Sequence, residues 1–371
     1  MKTLLIIDSL RVGGAQKLLT VFADEILRRG HEVEVVTLMN YKRDDAIFDD
    51  LVKLGVSVRC FPLRNLGDLV TLINLTRFLK NNKPDIVHTQ LNYANIIGTL
   101  AAHLTGIPSL ASLHNASIHL VNERRYRNWL ETGMLNQFSR RIIACGYTVA
   151  SVQQTRFKAK TLVVIPNPAP ILKVVNSNDV FDFRNTQLPD GKGILLVTVG
   201  RLIPEKGYPD MVQAISQVQK QTNKEFKLVI VGSGPLHGQL REFVNEQNLE
   251  NIVTFLGQRN DISTILAASD IYISTSHFEG QSIAVMEAMA AGLPIIATEV
   301  GDNKYVIPKD CGILVPAGQP KKFAEQILKL MNDSDDRAQF AINTAQRVKL
   351  NYSPSLWAEK LLAVYQEVLD E

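Results

Sequence analysis

The chain is predicted to be α/β, with parallel sheets in two successive halves, and three observations carry that expectation. Short apolar runs alternate with amphipathic helical patterns from end to end, the pattern of repeated βα units. After a Pro- and Asn-rich stretch, residues 166–192, the same alternation begins again. The 371 residues exceed one ordinary core and fit two domains.

In the first half the candidate strands are Thr3–Ile7, Glu32–Thr37, Val56–Cys60, Ile86–Thr89, Ser109–Ser112, Ile142–Ala144 and Leu162–Ile165. In the second half they are Ile194–Val199, Lys227–Val231, Val253–Leu256, Ile271–Ser274, Pro294–Ala297 and Gly312–Val315. Between the halves, Pro166, Pro168, Pro170 and Pro189 punctuate a weakly periodic stretch, a linker composition. The last segment, Ser355–Leu369, is apolar at Leu356, Leu361, Leu362, Val364, Tyr365 and Val368, as an amphipathic helix requires. The expected division is residues 1–168, a linker over 169–192, a second domain over 193–352 and a terminal helix over 353–371.

With 46% hydrophobic and 21% charged residues the chain reads as globular. No apolar run reaches the roughly twenty residues that span a bilayer. Lys2 followed by Leu4–Asp8 is a strand, too short for a signal peptide. Cys60, Cys145 and Cys311 have neither disulfide nor metal spacing, which predicts a reducing cytoplasm. The first 170 residues hold 21 Lys and Arg against 13 Asp and Glu, a balance of +8, leaving 19 against 24, or −5, for the rest. A basic half predicts an anionic surface or ligand beside it. The densest stretch holds Arg124, Arg125, Tyr126, Arg127 and Trp129, with Arg140 and Arg141 following. It suits the inner face of a cell membrane or a phosphorylated acceptor. It equally suits a solvated helix with Tyr126 and Trp129 packed inward. A nucleic-acid partner is not expected.

The most informative segment is residues 277–294, where a strand ending at Ser274 gives way to a helix over Ile283–Ala291. Such junctions are where open α/β sheets bind ligands. The N–H groups of Gly280, Gln281, Ser282 and Ile283 would face outward at the helix start, where the dipole favours an anion such as phosphate. Glu279 in the loop and Glu287 in the helix are suited to accept hydrogen bonds from sugar hydroxyls. The plainer reading has Glu279 merely favouring the dipole near a helix N-terminus and Glu287 as a solvated helix residue. Because Ala284–Ala291 is otherwise apolar, Glu287 needs a buried partner instead.

Other strand exits carry comparable signals. Gly13 and Gly14 permit close approach of backbone to a ligand, with a helix beginning near Ala15. The G-x-G-x-x-G fingerprint is absent there, against a nicotinamide or flavin enzyme. His114 follows Leu110–Leu113 at a strand end, whereas His88 and His119 read as structural. Arg201 and Lys206 stand in the turn after Val199, where two cations can hold a diphosphate and take up charge as it departs. Gly232, Gly234 and Pro235 form a further exit turn, and Gly257 another.

Taken together, the paired glutamates ahead of Ala288-Met289-Ala290-Ala291-Gly292-Leu293-Pro294, with Gly13-Gly14, His114, Ile165-Pro166-Asn167, Gly200-Arg201, Lys206-Gly207, Gly232–Leu236 and Phe255-Leu256-Gly257, resemble retaining glycosyltransferases of family 4 over essentially the whole chain. The resemblance implies a GT-B architecture: two Rossmann-like domains facing across a cleft, with the C-terminal helix crossing back to the first. It implies a nucleoside-diphosphate sugar as donor, UDP-sugar favoured and GDP-sugar possible, and a hydroxyl acceptor on a glycan or lipid-linked precursor. By the same resemblance Arg201 and Lys206 bind the pyrophosphate, Glu279 the sugar hydroxyls and Glu287 the ribose. His114 would contact the sugar, the Gly14 loop would border phosphates and acceptor, and the Gly257 backbone would face the base. Retention would proceed by same-face attack, the leaving phosphate oxygen taking the acceptor's proton. No cofactor is implied, and without an Asp-x-Asp motif no metal either. Three positions depart from the family: Gln16 replaces an acid, Pro168 follows Asn167 in place of glycine, and Gln281-Ser282 replaces Phe-Gly beside the sugar, where it would shape donor choice. Two alternatives stay open, a GT-B sugar-nucleotide epimerase and a catalytically silent binding subunit.

Overall fold

The computed structural model describes every residue except 12–13, 42–45, 115–121 and 158–159, and omits the side chains of 122–125. The chain divides into one unit of residues 1–168 with 354–371 and a second of 169–353.

The first unit runs β1 (Lys2–Ile7), α1 (Gly14–Arg28), β2 (Glu32–Thr37), α2 (Ala46–Lys53), β3 (Ser57–Cys60), α3 (Leu69–Asn82), β4 (Ile86–Gln90), α4 (Asn92–Thr105), β5 (Ser109–Leu113), α5 (Asn122–Phe138), β6 (Arg141–Ala144), α6 (Tyr147–Gln153) and β7 (Val163–Val164). These strands form one sheet in the order β3-β2-β1-β4-β5-β6-β7, parallel throughout. Leu4–Ile7 on β1 are fully buried, as expected of a parallel sheet covered on both faces.

The second unit follows as α7 (Ser177–Gln187), β8 (Ile194–Val199), α8 (Tyr208–Gln221), β9 (Phe226–Val231), α9 (His237–Glu246), β10 (Val253–Gly257), α10 (Ile262–Ala267), β11 (Ile271–Ser274), α11 (Ile283–Ala290), β12 (Ile295–Thr298), α12 (Asn303–Val306), β13 (Gly312–Val315), α13 (Pro320–Asn332) and α14 (Ser334–Asn351). Its sheet is ordered β10-β9-β8-β11-β12-β13 and is likewise parallel. In both sheets the chain winds outward in one direction and then crosses back, so β1 meets β4 and β8 meets β11. The carboxyl ends at these two reversal points are the ligand-binding positions of doubly wound sheets.

The last helix, α15 (Pro354–Asp370), packs on the first unit. Trp357, Leu361, Val364, Tyr365 and Val368 join the apolar cluster of α1 and the β1 face, and Phe22 meets the rings of Trp357 and Tyr365 edge-on at 5.8 and 5.9 Å. Each such side chain contributes roughly 1.5–3 kcal/mol on burial.

Two expectations need correcting. The stretch 169–192 is not a bare connection, because it holds α7. That helix has no apolar stripe to reveal it; instead Arg184 donates to Asp270 Oδ2 at 3.0 Å, Ala268 O at 2.7 Å and Gly193 O at 3.0 Å, and Leu188 beyond its end is fully buried. Tyr126 and Trp129 do not pack inward. They are 61% and 70% exposed and stack on each other, while Leu135 and Glu131 form the inner side of α5. Among the described residues no helix is long and apolar enough to cross a membrane.

Candidate functional site

The second unit's reversal point gathers the loops after β8 and β11. A short 3₁₀ turn, Pro204–Lys206, ends at Gly207 with φ of 61°, and a Cβ there would collide with Thr275 O. Glycine is therefore required for the two loops to touch. They are stitched by backbone: His277 and Phe278 N–H both donate to Glu205 O, at 2.8 and 3.3 Å. Thr275 Oγ1 donates to Gly207 O at 2.9 Å, and His277 Nε2 meets Asp210 Oδ2 at 2.7 Å.

This stitching brings Lys206 and Glu279 together. Lys206 Nζ donates to Glu279 Oε1 at 2.5 Å and Ser276 Oγ donates to the same oxygen at 2.7 Å. The lysine is thus engaged rather than standing free for an anion. Arg201 is exposed and makes no side-chain ion pair or hydrogen bond among the described residues. Behind the pair lies a small polar cavity lined by Thr198, Lys206, Tyr208, Tyr272, Ser276 and Glu279, among others. Burial first, then Tyr208 and the carboxylates of Glu279 and Glu287, hold the Tyr272 phenol well above its ordinary range. Burial, with Glu279 again adding, raises Tyr208 as well. Tyr208 hydroxyl donates to Gly200 O at 3.1 Å. Ser276, Tyr208 and Tyr272 escape sequence reading because lone hydroxyl side chains in a loop, at a helix start and on a strand carry no distinctive spacing.

The glycine exits interlock in the same way. Gly232 has φ of 141°, and a Cβ on it would run into Gly200 O, as one on Gly234 would into Leu202 O. Gly232 N–H donates to Gly257 O at 2.8 Å and Gly200 N–H to Val231 O at 2.9 Å. Pro235 lies exposed in this turn. On the other side, α11 begins after Ser282, which is buried beside partly buried Gln281 and Ile283. The N–H groups of Ser282 and Ile283 have no acceptor among the described residues, so the helix start presents donors to an anion. Glu287 sits one turn further along, partly buried.

In the first unit, Gly14 is the exposed first residue of α1 and Gln16 is partly buried; Gly13 lies outside the described residues, as do His119 and the side chains of Arg124 and Arg125. Arg127 is taken up internally, donating to Tyr93 hydroxyl at 3.0 Å with its guanidinium over the Tyr93 ring. Asp8, at the exit of β1, accepts from Ala94 N–H at 2.7 Å and Tyr93 N–H at 3.3 Å, bridging to the start of α4 across this unit's reversal point. Burial lifts its carboxyl to about 6 against the pull of those two donors. Beside it Leu91 is held at φ of 72°, an unfavourable conformation for leucine.

His114 follows β5 with Nε2 buried and unpartnered, and burial lowers its pKa to about 4. His88 is fully engaged: Nδ1 pairs with Tyr365 hydroxyl at 2.6 Å and Nε2 with Ser112 Oγ at 2.7 Å. Burial, then the neighbouring His114, lowers it to about 3. Among the described residues no cluster of three His, Cys, Asp or Glu stands together as metal ligands.

Two family profiles match adjoining halves of the chain, "Glycosyltransferase Family 4" over residues 12–171 and "Glycosyl transferases group 1" over 179–347. The chain is a family 4 glycosyltransferase. The transferase is 27% identical over 300 residues to the UDP-Gal:alpha-D-GlcNAc-diphosphoundecaprenol alpha-1,3-galactosyltransferase of Escherichia coli, covering 78% of this chain and 77% of that one. It is 24% identical to the N-acetyl-alpha-D-glucosaminyl L-malate synthase of Bacillus anthracis, over 96% of this chain and 93% of the relative. In fold it resembles the crystal structure of HepE from Anabaena in complex with UDP, with a TM-score of 0.85, 22% identity, and 99% and 100% of the two chains covered. The fold is that of the GT-B glycosyltransferases. Of the residues singled out from the sequence, those in the second unit converge on its reversal point, while His114 and Gly14 belong to the first unit.

Proposed function

We propose that the transferase moves a sugar from a nucleoside-diphosphate sugar, UDP-sugar favoured and GDP-sugar possible, to a hydroxyl acceptor with retention at the anomeric carbon. The observation that carries this reading is the Lys206–Glu279–Ser276 constellation beside unpaired Arg201 and the N-terminal donors of α11. A diphosphate needs two cations and aligned N–H groups. A sugar needs a carboxylate fixed in place to accept its hydroxyls. On this reading Arg201 and Lys206 take the charge of the departing diphosphate and Glu279 holds sugar hydroxyls. Glu287 binds the ribose, the Gly232, Gly234 and Gly257 turns admit the nucleotide closely, and His114 contacts the sugar. A guanidinium and an ammonium supply the countercharge that a divalent ion would otherwise bring, so transfer is expected to persist in chelator.

UDP is preferred because it is the nucleotide named for both the E. coli relative and the HepE complex. The acceptor named for the E. coli relative, a lipid diphosphate-linked sugar, makes a lipid-linked or glycan precursor the first class to try, and the malate named for the B. anthracis relative makes a small hydroxy acid the second. Peripheral contact with an anionic membrane rests on the exposed Tyr126 and Trp129, since Arg127 is engaged with Tyr93. Trp129→Ala should then lower co-sedimentation with anionic vesicles.

The test is equilibrium binding to uridine, guanosine and adenosine diphosphates and their sugars, with Glu287→Ala as control. Selective binding that survives chelator and weakens in the variant supports the reading. No binding to any of them overturns it.

A further inference from the structure

Two buried tyrosines of the second unit, Tyr208 at the start of α8 and Tyr272 on β11, meet where β8 ends. Both line the small cavity behind Lys206 and Glu279, which Ser282 ahead of α11 also lines. Their hydroxyls donate to successive carbonyls: Tyr272 to Val199 O at 3.4 Å and Tyr208 to Gly200 O at 3.1 Å. Thr198 adds a hydrogen bond to the Tyr208 phenol. The Gly200 carbonyl is hemmed in on a further side, because a Cβ on Gly232 would run into it.

A trans peptide is planar, and its carbonyl and N–H are directed oppositely. The two tyrosines therefore fix the direction of two successive N–H groups. Gly200 N–H, opposite the Val199 carbonyl, is spent inside the sheet on Val231 O at 2.9 Å. Arg201 N–H, opposite the Gly200 carbonyl, has no acceptor among the described residues. It is turned away from the cavity at the carboxyl end of β8, one of the two strands that flank the reversal point. The same hydrogen bond closes a loop, since Tyr208 follows Lys206 and Gly207 and its hydroxyl returns to the residue before Arg201.

We propose that Tyr208 is a positioning residue for the diphosphate, holding the Gly200–Arg201 peptide so that Arg201 N–H, beside its own guanidinium, is a further phosphate donor. The inference deepens the nucleotide-sugar reading and rests on it. A carbonyl facing the ligand would repel an anion, whereas the same peptide with its carbonyl held inward offers its positive end. Burial, with Glu279 adding, raises the Tyr208 phenol, so the hydroxyl stays a donor at neutral pH.

The experiment compares Tyr208→Phe with Tyr272→Phe in the full chain. Each keeps its ring in the core and removes one hydroxyl from the same cavity, so a purely structural role predicts similar effects in both. Binding of UDP and of uridine is measured by calorimetry, or of GDP and guanosine if the wild type takes those, with thermal melting to show folding. Tyr208→Phe should weaken the diphosphate about fivefold, the worth of one hydrogen bond. Tyr272→Phe, which releases a peptide whose N–H remains with Val231, should hold it within about twofold. The nucleoside, lacking phosphate, should bind both variants as it binds the wild type. Thr198→Val, which frees the phenol, should weaken the diphosphate in the same direction and decides the matter if Tyr208→Phe does not fold. Equal losses in the two Tyr→Phe variants, or loss of nucleoside alongside diphosphate, overturn the inference. A wild type that binds neither diphosphate overturns the nucleotide-sugar reading and this one with it, whereas intact wild-type binding with a folded, unaffected Tyr208→Phe removes this inference alone.

Discussion

Glu279→Gln separates the two roles assigned at the second unit's reversal point, because they respond with opposite signs. Gln keeps the shape and an acceptor for Ser276 but removes the charge that holds Lys206. The side chains of Lys206 and Glu279 are 22% and 11% exposed, so the ion pair is mostly shielded. A charged hydrogen bond contributes about 1.5–3 kcal/mol, and partial exposure lowers that to about 1–2 kcal/mol. A diphosphate that recruits Lys206 must first part it from Glu279, a cost the Gln variant is spared. UDP should therefore bind the variant about fivefold more tightly, for about 1 kcal/mol. Sugar transfer should fall by tenfold or more, because the carboxylate proposed to position the sugar is gone. Titration calorimetry with UDP and a turnover assay with the UDP-sugar read the two effects separately. Parallel loss of UDP affinity and turnover would falsify the separation and place Glu279 in the nucleotide site itself.

Gly232→Ala puts a methyl group into Gly200 O at a φ of 141°, so nucleotide affinity should drop at least tenfold with the fold retained, as binding and circular dichroism would show. Asp210→Asn removes the anionic partner of His277 that ties the two loops. It should raise the KM for the donor more than it lowers kcat, whereas equal effects on both would count against a positioning role. His88 and His114 are lowered in the folded state to about 3 and about 4. Their contribution to stability is complete above pH 6.5 and is lost as pH falls toward 4, at about 1.4 kcal/mol per pH unit for each. Unfolding midpoints across that window should flatten by one proton's worth in His88→Gln. Asp8, raised to about 6, runs the other way: the fold prefers its protonated form, so its unfavourable share grows as pH climbs from about 4 to 6. Asp8→Asn should gain on the wild type over that interval.

The fold was readable because parallel strands buried on both faces are nearly continuous apolar runs, and β1, β8 and β11 stand out as such. Strand ends were read less sharply. Where Leu162–Ile165 was expected, only Val163–Val164 pairs, since β7 is an edge strand with one neighbour and apolar character does not report pairing. Helix α7 was missed because one arginine and one leucine anchor it, which periodicity cannot register. In the site, Glu279, Lys206 and the glycines were visible from residue type and spacing at strand exits. The direct Lys206–Glu279 contact was not, because it depends on two loops 73 residues apart in sequence being stitched by main-chain bonds. Asp8 and Gln90 were equally hidden, for what sets them apart lies in what surrounds them: two N–H donors from α4 for one, and for the other a buried Oε1 with no partner among the described residues.

The stitching has a consequence for how donor and acceptor choice can vary on this scaffold. The loops at the second unit's reversal point are joined mainly by backbone groups, namely Glu205 O with His277 and Phe278 N–H, Gly200 with Val231, and Gly232 with Gly257. Such bonds do not change when side chains do. Where the glycines press on a neighbouring backbone, as Gly207 and Gly232 do, a larger residue forces that backbone to move. The frame that would hold a diphosphate is therefore nearly independent of the side chains that would touch a sugar. The side chains proposed to touch the sugar, Gln281 and Ser282 ahead of α11 and His114 after β5, take no part in those backbone bonds. Substitutions at Gln281 or Ser282 should change which sugar or acceptor is used while UDP affinity stays constant. Substitutions at Gly207 or Gly232 should abolish UDP binding whichever sugar is attached.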